Sequence, residues 1–185
     1  GAYSGSVGMY VADGDVLAYM DNVKVNKTRI SNNIAEFNNK PENAGTEISD
    51  AEKYKNTTAN VMVSAEDTYD NITATGNVSV GKGNTAGVAM RIDVISDNVR
   101  SYIKNSDIQT SGDLSITNNT IIDAIDVAAA GVGSLENSAF GGAIALIVND
   151  MDQSSYIDNS SVVSKSVKID SDTEFDIIDV TGRSE

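Results

Sequence analysis

Apolar and polar residues alternate with a period of two along most of this chain, and helical spacing is confined to one stretch. The apolar pairs Val61/Val63, Leu114/Ile116 and Val167/Ile169 fall 53 residues apart, as do Ile72, Ile125 and Ile178. Three segments share one plan of small residue, Tyr, aliphatic, polar, Asn: AYMDNVKV at 18–25, SYIKNSDI at 101–108 and SYIDNSSV at 155–162. Tyr102 and Tyr156 are 54 apart, a one-residue slip within a loop, whereas Tyr19 and Tyr102 are 83 apart. Internal repetition at such a period marks a stacked architecture. The expected division is into repeats at 1–80, 81–133 and 134–185, with an insertion at 26–59 in the first.

Each repeat opens with an apolar strand rich in small residues, SVGMYVA, GVAMRIDVI or GGAIALIV. The polar runs that follow, DGD at Asp13, SDN at Ser96 and NDMD at Asn149, read as corners, and Asn, Asp, Gly and Ser favour turns. A Tyr strand comes next, then a short alternating strand (VMVS, LSIT, VKID) and a longer one (YDNITA, IIDAIDVA, FDIIDV). Sandwiches need about 100 residues per unit, and three propeller blades do not close a ring. The pattern therefore predicts an all-β parallel β-helix in which like residues stand above like at roughly 4.8 Å. Two coils of about 26 residues per repeat are expected, with three coils of about 18 as the alternative. Six such coils would make a rod about 30 Å long.

The chain has 185 residues, enough for one ordinary core. Its composition supports the strand reading: 19 Asn against a single Pro, abundant Ser, Thr, Val and Ile, and little Leu. Starting at Gly1-Ala2 and stopping in mid-pattern at Arg183-Ser184-Glu185, it reads as a segment excised from a longer protein. A net charge of -14 repels phosphate backbones and anionic lipid, which argues against nucleic-acid partners and against membrane insertion by this segment. Without Cys there is no disulfide framework or thiolate chemistry, and without His no Ser-His or Cys-His nucleophile.

The units SYIKNSDIQTSGDLSIT and IIDAIDVAAAGVG resemble the repeat regions of very large secreted bacterial exoproteins, the filamentous-haemagglutinin-like adhesins and leukotoxin-type exoproteins. The resemblance covers nearly the whole chain outside the insertion and contains no catalytic signature. It implies a right-handed β-helix, export to the extracellular space or bacterial surface, and a role in attachment or in a cytotoxic exoprotein.

Candidate chemistry is sparse. The 53-residue register stacks Asp70, Asp123 and Asp176 in one column and Thr73, Asp126 and Asp179 in another. These read as a solvated acidic face rather than a cation ladder or a sugar-cleaving pair. With two coils per repeat the column members would stand about 10 Å apart and repel by only about 0.4 kcal/mol in water. The corner Asp13-Gly14-Asp15 lacks a calcium-loop pattern and is read as self-capping turns. Tyr19, Tyr102 and Tyr156 are expected to form a packing column. No catalytic residue, cofactor or metal is assigned. The expected function is a non-catalytic shaft or adhesion segment joined to flanking β-helix repeats. The alternative is a polysaccharide-cleaving β-helix enzyme.

The insertion is the one feature a solenoid does not need, and loops beyond about 15 residues are usually functional or disordered. TRISNNIAEFNN predicts a short helix with Ile30, Ile34 and Phe37 on one face, and SDAEKYKN a second capped by Ser49. The insertion is also readable as a plain surface excursion packed on the rod through Ile34, Phe37 and Tyr54. If it binds a host cell-surface protein or glycan, Arg29, Phe37, Lys40, Lys53 and Tyr54 are the expected contacts.

Overall fold

A computed structural model describes residues 1–184; Glu185 lies outside it, as do the side chains of Arg183 and Ser184. The expected all-β class is found, with strand over 70% of the chain and helix over 10%. Among the described residues there are nine strands: β1 (Ala2–Asp21), β2 (Lys24–Val25), β3 (Val61–Gly81), β4 (Thr85–Lys104), β5 (Asp107–Gln109), β6 (Asp113–Ser134), β7 (Ala139–Asp158), β8 (Ser161–Val163) and β9 (Ser166–Ser184). They form three parallel sheets of three strands, ordered β1-β4-β7, β2-β5-β8 and β3-β6-β9, an arrangement consistent with a parallel β-helix.

Two of these sheets are long and pack face to face, and the short β2-β5-β8 sheet lies at the corner between them. Each circuit is thus a long strand, a tight corner with a short strand, a second long strand, and a return.

The expected coil count is corrected. Tyr19 lies opposite Tyr102 and Tyr102 opposite Tyr156, while Val61, Leu114 and Val167 are likewise direct neighbours. Residues one period apart are therefore hydrogen-bonded neighbours, and one circuit consumes the whole period. The reason lies in the polar runs read as corners. Asp13 and Asp15 point outward to solvent from an unbroken β1, and Gly14 between them leaves room for Asp97 of β4. An outward Asp needs no turn to be hydrated. The one-residue slip sits in the return loops, three residues at 82–84 against four at 135–138.

The corner after each Tyr segment is made by asparagine. Asn22, Asn105 and Asn159 have φ of 56°, 51° and 44°, the left-handed region that Asn tolerates better than other side-chain-bearing residues. Their amides stack: Asn159 Nδ2 donates to Asn105 Oδ1 at 2.8 Å, and Asn105 Nδ2 to Asp21 Oδ1 at 3.0 Å. Beside them the Tyr rings stack on the outer face with centroids 5.3 and 5.1 Å apart and planes within 13°.

Along each circuit the side-chain pattern reverses. In the half nearer the Asn corner the interior is apolar: Val61, Val63, Ile103, Ile108, Leu114 and Ile116 form one buried cluster, and Ile95, Ile122 and Ala124 a second. In the half nearer the return loops the buried positions are Arg91, Asp93, Asp126, Ser79, Thr85 and small residues. The apolar side chains there, Val7, Met9, Ile144, Val78 and Val80 among them, are on the outside and exposed.

Candidate functional site

The insertion forms helix α1 (Lys27–Asn38), a short 3-10 turn at Pro41–Asn43 and the single-turn helix α2 (Asp50–Lys53). Both predicted helices are present, and Ser49 caps the second by accepting from the Glu52 backbone N–H at 3.3 Å. Ile30 is the buried anchor of α1, with Ile34 and Phe37 half-buried on the same face.

The insertion is tied to the strands by polar contacts. Asn26, left-handed at φ 60°, turns the chain into α1 and donates Nδ2 to the Gln109 carbonyl at 2.8 Å. Lys27 Nζ lies 2.8 Å from Asp107 Oδ2, and this hydrogen bond, with help from Gln109, holds the Asp107 carboxyl below its ordinary pKa. At the exit, the buried Thr110 hydroxyl reaches the Thr57 and Ala59 carbonyls at 2.6 and 2.7 Å. Asn33 Nδ2 bridges to the Lys53 and Lys55 carbonyls, each at 3.0 Å, and so joins the two helices.

The five residues expected to contact a partner are only partly brought together. Phe37 and Lys40 line one hollow with Asn33, Glu36, Glu52 and Lys55. Lys53 stands over the Tyr54 ring, its Nζ 5.2 Å from the centroid, and Tyr54 lines a second hollow that reaches Ser111. Arg29 is exposed and lines neither. What the geometry offers is an amphipathic knob of balanced charge, with Lys27, Arg29, Lys40, Lys53 and Lys55 set against Glu36, Glu42, Glu47, Asp50 and Glu52, on an acidic body.

The two acidic columns part company. Asp70, Asp123 and Asp176 point outward and line an open depression of about 240 Å³ with Ile72, Ile125 and Ile178. They occupy adjacent strands, so their spacing is about 4.8 Å rather than about 10 Å, and repulsion in water rises to about 0.9 kcal/mol per pair. That spacing approaches the separation used by retaining glycosidases, about 5 to 5.5 Å.

The second column is split: Asp179 on the edge strand β9 is exposed, Thr73 is half-buried, and Asp126 between them is not solvated. Asp126 is fully buried, and it receives the Thr73 hydroxyl. It lies beside Asp93, which is 1% exposed and accepts from Asn71 Nδ2 at 3.2 Å and from Thr73 Oγ1 at 3.4 Å. Arg91 Nη2 is 2.5 Å from Asp93 Oδ1, and Arg91 Nε is 4.0 Å from Asp126 Oδ1. The contact is ionic without hydrogen-bond alignment: Arg91 Nε and Nη2, Asp93 Oδ1 and Asp126 Oδ2 are buried with no hydrogen-bond partner.

Burial, then the neighbouring Asp126, pushes the Asp93 pKa up to about 6, with Arg91 opposing. Burial also raises Tyr69, with Tyr10 and Asp93 adding to it. Asp97 is raised by burial and by Asp67, Asp13 and Asp15. Sequence reasoning missed this cluster. Its signal was parity: Arg91, Asp93 and Asp97 share the odd positions of Ala89, Ile95 and Val99, so they face the same way.

Compared with known proteins, the chain matches no family model, no curated protein and no solved structure.

Proposed function

We propose that this chain is a segment of the extracellular shaft of a large adhesin-like or leukotoxin-like bacterial exoprotein, resembling the filamentous-haemagglutinin-like repeats. In this reading it is a right-handed β-helix of three repeats, carries no catalysis, and contacts host cells through the insertion at 26–59. The observation that carries it is the register. Like residues stack strand on strand, and the offset of 83 residues before the insertion and 53 after it leaves the Tyr column unbroken. A scaffold that carries a helical excursion without disturbing its own ladder suits display of a binding loop. Each sheet also ends in edge strands, four of them about 20 residues long, which would pair with further coils of the same kind in the parent.

The test compares host-cell binding by the chain and by a version with Lys27 to Thr58 replaced by an Asn-Gly turn. Both must be β-rich by circular dichroism. Loss of binding with the insertion supports recognition by the knob. Equal binding moves the contact onto the strands, and no binding by either leaves a spacer.

A further inference from the structure

The reversed half of the fold points to a partner for its outer face. Over the first ten residues of β1 and the matching parts of β4 and β7, outward positions are apolar. The rows are Val7/Met90/Ile144 and Met9/Ile92/Leu146, with Val11, Val94 and Val148 next to them. Val7 is 73% exposed, Met9 69%, Ile144 53% and Leu146 48%. The inward residues on the same strands include Ser6, Gly8, Arg91 and Asp93. Period-2 alternation is intact, but the apolar set faces out.

Size and charge select the occupant. The rows from Tyr3 to Val11 run roughly 30 Å along strands that together span about 14 Å, a plane of about 450 Å². Side chains standing proud of that plane expose roughly twice its area, close to the ~800 Å² per partner of a standard stable interface. Directly beyond lie Asp13, Asp15, Asp150 and Asp152, on a chain of net charge -14. That border repels anionic lipid, and edge strands with unpaired backbone groups are not tolerated in hydrocarbon. A flat β face fits another flat β face about 10 Å away.

We infer that the outer face of β1-β4-β7 pairs two copies of this chain face to face, through a two-fold axis that runs along the stacking direction over Val7, Met90 and Ile144. Strands then run antiparallel across the interface, so apolar half meets apolar half and the acidic halves overhang at opposite ends. A two-fold along the stacking direction also keeps its geometry however many coils lie above or below. The insertion, at the far corner of the circuit, stays clear. The outer face of β3-β6-β9 is less suited, because the Gly76, Ala129 and Gly182 row separates Val78 and Val80 from the Ile72, Ile125 and Ile178 row and splits its apolar side chains into two smaller groups.

Sedimentation velocity over micromolar concentrations tests this. The chain is expected at twice its monomer mass. Met9→Glu with Leu146→Glu should weaken the dimer by more than about 100-fold, since like charges would be pressed together. Val78→Glu with Val80→Glu, on the other long sheet, should leave it intact, with circular dichroism confirming both folds. In the otherwise cysteine-free chain, Met90→Cys should be captured as a dimer by a short bis-maleimide and Val80→Cys should not. A monomeric chain overturns the inference. So does an open-ended oligomer insensitive to the Met9/Leu146 pair, or equal disruption by the control pair. Co-sedimentation of monomer with phosphatidylcholine vesicles, lost in Met9→Glu with Leu146→Glu, would overturn it in favour of lipid.

Discussion

Replacing Asp93 by asparagine should stabilise this protein at neutral pH. Asp93 is buried between the long sheets, where burial and Asp126 raise its pKa from 3.8 to about 6. One pKa unit corresponds to 1.36 kcal/mol, so the ionised carboxylate is disfavoured by about 3 kcal/mol in the folded state relative to the unfolded chain. The sign follows from the raised value. The folded state holds the proton more tightly, so this group's contribution is fully present below the unfolded pKa and is lost as pH rises through about 6.

Asparagine keeps the shape and can still accept from Asn71, while its amide can donate toward Asp126. The loss of the Arg91 contact offsets part of the gain. A net stabilisation of about 2 kcal/mol at pH 7.5 is expected, shrinking toward zero by about pH 4. Urea unfolding followed by circular dichroism across that range, as the difference between variant and wild type, isolates this group from Asp97 and the other carboxyls. A variant less stable than wild type at pH 7.5 would refute the reasoning, because Arg91 would then be holding Asp93 in a net favourable pair. A gain that persists unchanged at pH 4 would equally exclude titration as its source.

Three further outcomes are checked by the same unfolding assay. Ile103→Ala, at the centre of the apolar half with 0% exposure, should lose about 3 kcal/mol, whereas Val80→Ala on the outer face should change stability by less than about 0.5 kcal/mol. Asn105→Ala should cost about 1–2 kcal/mol, because alanine is disfavoured at φ 51° and also lacks the stacking amide; Asn105→Gly should recover most of the backbone part. Thr110→Val should cost about 1–3 kcal/mol, because the Ala59 carbonyl loses its hydroxyl donor and the Gly112 N–H its acceptor, while the Thr57 carbonyl keeps the Ser111 N–H. It should also hasten protease cleavage within 26–59.

Much of the fold was readable because identity in a stacked coil is spatial: residues such as Tyr102 and Tyr156 look alike because they touch. The helices of the insertion were readable from the spacing of Ile30, Ile34 and Phe37 and from the Ser49 cap. Coil length was not, since Asp13 and Asp15 carry the composition of a turn while serving as the solvated side of a strand. The reversed half was hidden by a related ambiguity. Alternation sorts residues into two faces without saying which is the inner one, and here Arg91 and Asp93 meet Asp126 between the sheets while Met90 and Ile92 take the outer face. Of the candidate site, the knob's elements were foreseeable, but the way Phe37 and Tyr54 fall into separate hollows depends on Asn33 bridging the two helices.

The register offset between β1 and β4 also bears on how the chain assembles. Every ladder bond must first close a long stretch of chain, which favours slow, non-local folding. Joining β4 to β7 closes 54 residues and joining β1 to β4 closes 83. Loop-closure entropy grows only as the logarithm of length, so the longer closure costs about 0.4 kcal/mol more. That is less than thermal energy at room temperature, about 0.6 kcal/mol. The Asn corner can therefore accept some thirty extra residues at almost no entropic penalty, and segments differing widely in length and sequence could occupy it while the stacked circuits assemble as before.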